Sequence, residues 1–295
     1  MSLKKRDNHE THDESYFASF TDLLVGILFI FIILLMVVAT NYRKQQKYAE
    51  NATKVLTAIN NSRNASLEDI KKSLEEMENA TEVLTAINNS RNIVLENIKK
   101  SLEEMGLEVI IDLQSGILRL PENLLFASGQ SEVSYQGVEA LGKLSKVLIK
   151  FLPCLSKSDE SLKEFCKNLE IKNGVFLETV LIEGHTDDIK FGSDDGFDSN
   201  WGLSARRSIT VYQKLINFAP LLETGILNND EKPIFGVSAY EAKRPIKANI
   251  DNESRKSNRR IDLRFVMRSP SAEEIEKLKI LIKDGDTKKQ NTISE

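Results

Sequence analysis

The sequence has 295 residues, and its hydrophobic fraction of 41% is enough to build the core of at least one globular domain. It contains 40 basic and 44 acidic residues, so the formal net charge is −4. This mixture provides no strongly basic surface, and we expect no nucleic-acid partner.

Apolar residues concentrate near the start of the chain. The segment 23–40 contains no charged side chain, and about 20 such residues cross a bilayer. We predict a transmembrane helix over 16–40 after a cytoplasmic N-terminus over 1–15. A cleaved signal peptide is the alternative, but the apolar run is too long and no small-x-small cleavage site follows it. Basic residues flank both ends, so the positive-inside rule leaves the orientation open.

Asp22 lies inside this predicted helix, where an ionised carboxylate costs about 2.5–3.5 kcal/mol to insert. Ser19, Asp22 and Gly26 share one face, a stripe of small and polar residues where another helix can approach closely. A carboxylate in a membrane span is by default a functional candidate. A solvated position at the membrane interface is the simpler alternative.

Residues 50–77 and 78–105 form a tandem repeat of 28 residues. Apolar residues in each copy fall mostly three or four positions apart, and 28 residues make four heptads. We predict a helical linker over 41–105, in which a polar Asn-Asn-Ser-Arg segment interrupts the apolar seam once per copy. The spacing leaves open whether this helix is a plain spacer or pairs as a coiled coil.

After Gly106 the pattern changes to short β-branched runs, turns and amphipathic helices, which predicts an α+β domain over 106–268. Its predicted elements follow a βαβαβ order: a hairpin of 109–113 and 117–120, helix 136–151, strand 179–183, helix 203–218 and strand 260–266. A C-terminal helix and a polar tail are expected over 269–295.

Four motifs of this domain carry a family resemblance. They are Arg119-Leu-Pro-Glu-Asn-Leu-Leu-Phe126, Ile182-Glu-Gly-His-Thr-Asp187, Asn200-Trp-Gly-Leu-Ser-Ala-Arg-Arg207 and Ser257-Asn-Arg-Arg260. In this order they resemble the peptidoglycan-binding domain of the OmpA, Pal and MotB families. Two departures from the family pattern concern the pocket rim: a longer interval before the third motif, and a segment at 238–241 that replaces a Gly-rich one.

The third motif places Asn200, Leu203 and Arg207 on one face at the start of a helix, with Asn200 as a candidate N-cap. Leu203 is expected to pack this helix onto the sheet and to leave Arg207 beside Asp187. In the resembled family, such a pair binds the zwitterionic end of diaminopimelate in the stem peptide. The resemblance therefore implies that Asp187, Asn200, Leu203 and Arg207 form a peptidoglycan site. A salt bridge that only fixes the loop is the alternative.

His185 is expected to orient this loop rather than to bind ligand. The chain has three histidines and no clustered carboxylate pattern, so we predict neither a metal site nor a cofactor. No nucleophile and base stand at a suggestive spacing, and we expect no enzymatic activity.

The whole layout resembles a second group of proteins, the B subunits of ion-driven stators, of which MotB is the best known. A span with an Asp, a helical linker and an OmpA-like domain follow each other in the same order. The B subunit of the Zorya anti-phage system (ZorB) is the more similar member, on Ser19-Phe-Thr-Asp-Leu-Leu24 and on a pair of cysteines that flagellar members usually lack.

This resemblance implies a single-pass protein of the inner membrane, with a cytoplasmic N-terminus and a periplasmic domain. It implies a homodimer inside a multi-span, MotA- or ZorA-like pentamer, with Asp22 as the proton-binding residue and peptidoglycan as the anchor. A flagellar MotB subunit and a passive Pal-type tether without an ion path are the alternatives.

The two cysteines, Cys154 and Cys166, bracket one polar insertion of the domain. Peptidoglycan binding implies an oxidising periplasmic location, where two lone cysteines around one loop usually pair. We therefore predict a disulfide. Two buried free thiols are the alternative, because the sequence does not give the distance between the two Cα atoms.

Overall fold

The computed structural model describes residues 10–169, 171, 176–192 and 199–280, with side chains from residue 19 onward. Residues 1–9 of the predicted N-terminal segment and 281–295 of the predicted tail lie outside the described residues. The chain divides into two units, Met1–Glu75 and Glu76–Glu295.

The predicted span and linker form a single helix, α1, over Glu10–Glu104. Within the described residues, this is the helix that is long and apolar enough to cross a membrane, by its length and composition. Every described side chain of the first unit is exposed, including the apolar seam of the first repeat copy from Leu56 to Leu74.

The second copy of the repeat belongs to the second unit and is partly buried there. Val94, Leu95 and Ile98 are fully buried in the main core of that unit. At this point the two copies differ, because Ile93-Val94 stands where the first copy has Ala65-Ser66. The second unit thus includes this copy of the repeat as well as the residues after Gly106.

Within its described residues, the second unit combines seven strands with short and long helices. Its strands are β1 (Ile110–Asp112), β2 (Ile117–Pro121), β3 (Lys157–Ser158), β4 (Leu177–His185), β5 (Ile226–Leu227), β6 (Phe235–Ala239) and β7 (Arg260–Met267). Its helices beyond α1 are α2 (Glu122–Leu125), α3 (Tyr135–Phe151), α4 (Asn200–Phe218), α5 (Leu221–Thr224) and α6 (Asn252–Asn258). Residues 272–280 are also helical.

Five of the strands form one sheet in the order β1-β2-β7-β4-β6, and β3 pairs with β5 in a small second sheet. Strands β4 and β6 are parallel, and the other neighbours in the large sheet are antiparallel. The predicted α+β class and the predicted hairpin, helices and strands are confirmed. Strands β3, β5 and β6 were not predicted.

Helix α4 lies very close to strand β4, which positions the candidate site. A Cβ atom at Gly184 would lie 2.1 Å from the backbone oxygen of Ser204, so only glycine permits this approach. Leu203 and Val211 of α4 are buried, as the predicted packing of this helix requires.

The polar insertion after α3 contains two 3-10 helices, Leu152–Cys154 and Glu160–Asn168, with strand β3 between them. A disulfide joins Cys154 to Cys166, with their Cα atoms 5.3 Å apart. The insertion packs on α3 through Phe165, whose ring meets that of Phe151 edge-on at 5.1 Å.

Candidate ligand site at the end of the central strands

Three strand ends meet at one edge of the large sheet. In the strand pairing, Arg260 at the start of β7 lies opposite Pro121 at the end of β2 and opposite His185 at the end of β4. The residues that follow or precede these ends, Glu122, Asp187 and Arg259, are therefore brought together by the register of the sheet.

Four charged side chains form a continuous chain of ion pairs at this edge, which we call the charged quartet: Arg207, Glu122, Arg259 and Asp187. Arg207 donates through Nη2 to one carboxylate oxygen of Glu122. Arg259 donates through Nε to the other oxygen of Glu122 at 2.5 Å and through Nη1 to Asp187 at 2.5 Å. Glu122 and Arg259 thus connect the two residues that the sequence had predicted as a pair.

The members of the charged quartet differ in their access to solvent. Arg207, Glu122 and Asp187 are buried, whereas the side chain of Arg259 is 27% exposed. Burial lowers the pKa of Arg207, and the neighbouring Glu122 opposes this effect. Burial also acts to lower the pKa of Arg259, but hydrogen bonds to Asp187 and Glu122 outweigh it and raise that pKa. Arg259 is therefore a charged group that a ligand can reach.

The backbone around the charged quartet is held by further hydrogen bonds. Arg207 donates through Nε to the carbonyl oxygen of Gln130 at 2.8 Å, and its guanidinium lies 5.1 Å from the ring centre of Phe126. Asp187 accepts the backbone N–H of Ile189 at 3.0 Å. Arg207 is thus fixed to the segment after α2, and Asp187 to its own loop.

The structure corrects the predicted N-cap of helix α4. Ser199 has extended backbone angles, and its hydroxyl accepts the N–H of Gly202, so Ser199 is the cap. Asn200 is already the first helical residue, and its amide donates to the carbonyl oxygen of Ile189 at 2.8 Å. Asn200 therefore ties the helix start to the loop that carries Asp187.

Sequence reasoning named Asp187, Asn200, Leu203 and Arg207 but gave no role to Glu122 or Arg259. Glu122 lies inside the motif Arg119–Phe126 and Arg259 inside the motif Ser257–Arg260, so the family resemblance already included both positions. Leu203 is a buried residue of α4 and contributes packing at this site.

A second group of charges lies in the strands themselves, beside His185. Arg264 donates to both carboxylate oxygens of Glu183, at 2.7 and 2.9 Å. Asp262 accepts from Arg119 at 3.0 Å and from Arg260 at 2.9 Å. Both carboxylates are thereby occupied by guanidinium groups.

His185 is buried between these carboxylates, and its Nε2 lies 3.8 Å from Glu183 and 3.6 Å from Asp262. Burial lowers the pKa of His185. Its ring stacks on Tyr240 with 5.4 Å between the centres. One imidazole nitrogen of His185 and one carboxylate oxygen each of Glu183 and Asp262 lie close enough together to hold a metal ion. However, three arginines already outnumber the two carboxylates, and a divalent cation would bury further positive charge without compensation.

Asp22 is placed on α1 as the sequence predicted, on the same helix face as Ser19 and Gly26. All three residues are exposed on the isolated helix, and nothing lies within 4 Å of a Cβ atom placed on Gly26. The described chain thus offers a carboxylate beside a position where a neighbouring helix would meet no side chain.

No family model matches the chain. The chain is similar over nearly its whole length to Motility protein B of Bacillus subtilis strain 168, with 24% identity over 287 residues that cover 91% of this chain and 97% of that protein.

Several solved structures are similar to part of the chain. The cell wall anchor of the type VI secretion system from Pseudomonas aeruginosa has 17% identity and a TM-score of 0.39, covering 59% of this chain and 97% of its own. A MotB-like protein from Desulfovibrio vulgaris has 20% identity and a TM-score of 0.38, covering 61% and 96%. The periplasmic domain of Helicobacter pylori MotB has 21% identity and a TM-score of 0.36, covering 55% and 82%.

Proposed function

From the similarity to Motility protein B along nearly the whole chain, we propose that this protein is a MotB-type stator subunit anchored to peptidoglycan. As a stator subunit it is a single-pass protein of the inner membrane with a periplasmic domain, and it has no enzymatic activity. The observation that carries this proposal is that one chain combines a carboxylate in an apolar helix, Asp22, with the charged quartet of the domain.

The charged quartet supplies the chemistry for holding a stem peptide. A guanidinium group binds a carboxylate in a planar, two-bonded geometry, and a carboxylate binds an ammonium group. Arg207 and Asp187 are the cationic and anionic members through which we propose that diaminopimelate is gripped, with Asn200 and Leu203 fixing the helix that carries Arg207. The hydrogen bonds from Arg207 to Gln130 and from Asn200 to Ile189 hold the segments around these residues in place.

Binding to the cell wall tests this assignment. We expect the full-length protein in detergent to sediment with isolated peptidoglycan of the diaminopimelate type, and Arg207→Ala or Asp187→Ala to reduce the bound fraction about tenfold or more, a loss of about 1.4 kcal/mol. Lys146→Ala, which removes an exposed charge from α3, is the control and should bind like the unchanged protein. Equal binding by all four proteins would leave the ion pairs as a brace for the loop.

The second part of the proposal concerns the ion path. We propose that two copies of the chain stand inside a pentamer of a multi-span, MotA- or ZorA-like partner, and that Asp22 takes up and releases protons that cross the membrane. About 2.3 kcal/mol per elementary charge is available for each 100 mV of membrane potential. Protonation of Asp22 changes its contacts with the partner, while the wall-bound domain stays fixed.

Asp22→Asn separates a motor from a passive tether of the Pal type. The amide has nearly the same shape but cannot titrate, so a motor loses its function while expression and wall binding remain. Asp22→Glu keeps a titratable carboxylate and serves as the matched control. Full function of Asp22→Asn in cells that carry the partner gene would refute the ion path and favour the tether.

At a finer level we propose that the motor belongs to the Zorya anti-phage branch. The segment Ser19–Leu24 and the pairing of Cys154 with Cys166 support this choice over a flagellar subunit. Plaque counts and swimming assays in cells carrying the protein and its partner distinguish the two branches. Protection from phage without an effect on swimming is expected, and the reverse result would assign the protein to motility.

A further inference from the structure

We propose that Glu122 makes the charged quartet selective for a zwitterionic ligand group, because it positions both arginines and balances their charge. The inference rests on the proposed function, in which this site holds the stem peptide. It assigns a positioning role to Glu122, and it adds Arg259 to Arg207 as a second guanidinium that contacts the ligand.

Glu122 is fixed by its backbone as well as by its side chain. It follows the last residue of β2, and its N–H donates to the carbonyl oxygen of Arg259 at 3.1 Å. Its own carbonyl oxygen accepts from Phe126 at 2.8 Å. The buried carboxylate therefore stands at a defined point between the guanidinium groups of Arg207 and Arg259.

The charged quartet contains two guanidinium groups and two carboxylates, so its formal charge is zero. Asp188 and Arg255 beside it form a further pair at 2.8 Å and do not change this balance. A ligand group that brings a carboxylate and an ammonium together preserves the balance, whereas a group with only one charge disturbs it. Uncompensated charge at a buried position is costly, so the site should discriminate between the two.

Binding can proceed by an exchange of partners that starts at Arg259. This is the most exposed guanidinium of the charged quartet, and it donates to Asp187 through Nη1. An incoming carboxylate can replace Asp187 at Arg259, and the released Asp187 can then accept from the incoming ammonium. Glu122 retains the Nε of Arg259 and the Nη2 of Arg207 during this exchange, so both arginines stay in place.

Calorimetric titration of the full-length protein in detergent tests this role. The probe is the stem tripeptide that ends in meso-diaminopimelate, compared with the same tripeptide acetylated on the diaminopimelate amine, which removes the ammonium charge. We expect the unchanged protein to prefer the free amine about tenfold or more. In Glu122→Gln the site gains one positive charge, and this preference should fall at least about tenfold.

Two further variants control the measurement. Glu132→Gln removes an exposed carboxylate from the segment after α2 and should keep the preference of the unchanged protein. Arg259→Gln shifts the charge in the opposite direction, so its affinity for both peptides should fall while its preference for the free amine increases. This second variant decides the matter if Glu122→Gln does not fold.

The possible failures are distinct. If the unchanged protein binds neither tripeptide, the proposed function is wrong and the inference falls with it. If it binds the tripeptide but Glu122→Gln keeps the same preference, or Arg259→Gln lowers it, the role of Glu122 is refuted while peptidoglycan binding stands.

Discussion

Glu183 is a buried carboxylate in the middle of strand β4, and its ionisation depends on its neighbours. Burial acts to raise its pKa, but His185 and the hydrogen bonds from Arg264 outweigh this effect and lower the pKa to about 2. The pKa of Glu183 is therefore below its ordinary value of 4.5. A carboxylate of this kind contributes stability above its unfolded-state pKa, and this contribution is lost as the pH falls toward the folded-state value.

We predict that Glu183→Gln weakens the acid dependence of stability. The unchanged protein should lose up to about 3 kcal/mol of unfolding free energy through this group between pH 5 and pH 2. The variant should be less stable at pH 7, because Arg264 loses its partner, and its stability should fall less on acidification. Urea unfolding at several pH values measures both effects. Parallel curves for the two proteins would contradict the prediction.

His185 also makes the folded protein less stable as the pH falls, but over a higher pH range than Glu183. Its pKa is lowered from 6.5, so the unfolded chain takes up a proton that the folded protein resists. The contribution of His185 to the unfolding free energy is thus present above its pKa in the unfolded chain and is lost as the pH falls below that pKa. Because Glu183 acts to raise the pKa of His185, Glu183→Gln also alters this contribution, and the comparison of the two proteins reports on the coupled pair.

At the level of elements, the two repeat copies have nearly the same sequence but differ in burial. Val94 is fully buried in the core of the second unit, whereas Ser66, its counterpart in the first copy, is exposed and donates to the carbonyl oxygen of Ser62. The seams are otherwise nearly the same. The two copies thus differ at this position both in residue type and in burial.

Exchanging these residues gives a matched pair of variants. We predict that Val94→Ser destabilises the second unit by about 1–3 kcal/mol, because it buries a hydroxyl and leaves a cavity. Ser66→Val should change the unfolding free energy by less than about 0.5 kcal/mol. Thermal and urea unfolding monitored by circular dichroism compare the two. A similar loss in both variants would show that the copies are energetically equivalent.

The sequence predicted the elements with long or regular patterns, including α1, α3, α4, β4 and β7. It did not reveal β6, since Phe235–Ala239 combines small, polar and apolar residues and is only partly buried. The charged quartet was also missed in part. Glu122 and Arg259 lie 137 positions apart, and only the register of β2 with β7 brings them together. Single residues of a site can be found in motifs, but their partners depend on the pairing of strands.

At the level of the whole molecule, the disulfide reports on the compartment in which the domain folds. Cys154 and Cys166 close a loop with a sequence separation of 12 residues, worth roughly 3 kcal/mol at most in the chain-entropy estimate. Such a bond persists in the periplasm and is rare in the reducing cytosol. We predict that exported protein shows no free thiol on alkylation and intact-mass measurement without reductant.

Two controls make this measurement specific. Reduction before alkylation should add two labels, and the double variant Cys154→Ala with Cys166→Ala should add none and unfold at a lower temperature. Two labels on exported protein without reductant would contradict the disulfide and also the periplasmic location of the domain.

The tandem repeat has a consequence for how this protein can vary among natural isolates. Neighbouring segments of nearly equal sequence are prone to unequal recombination, which adds or removes whole units of 28 residues. Because each unit is four heptads, the apolar seam stays in phase, while α1 changes in length by about 42 Å per unit at 1.5 Å per residue. The last unit is constrained, since the core requires its Ile93-Val94. We therefore expect alleles that differ in the number of 28-residue units with Ala-Ser at the position of Ala65-Ser66. The unit before Gly106 should always carry Ile-Val at the position of Ile93-Val94. An allele with Ala-Ser in this last unit would contradict the expectation.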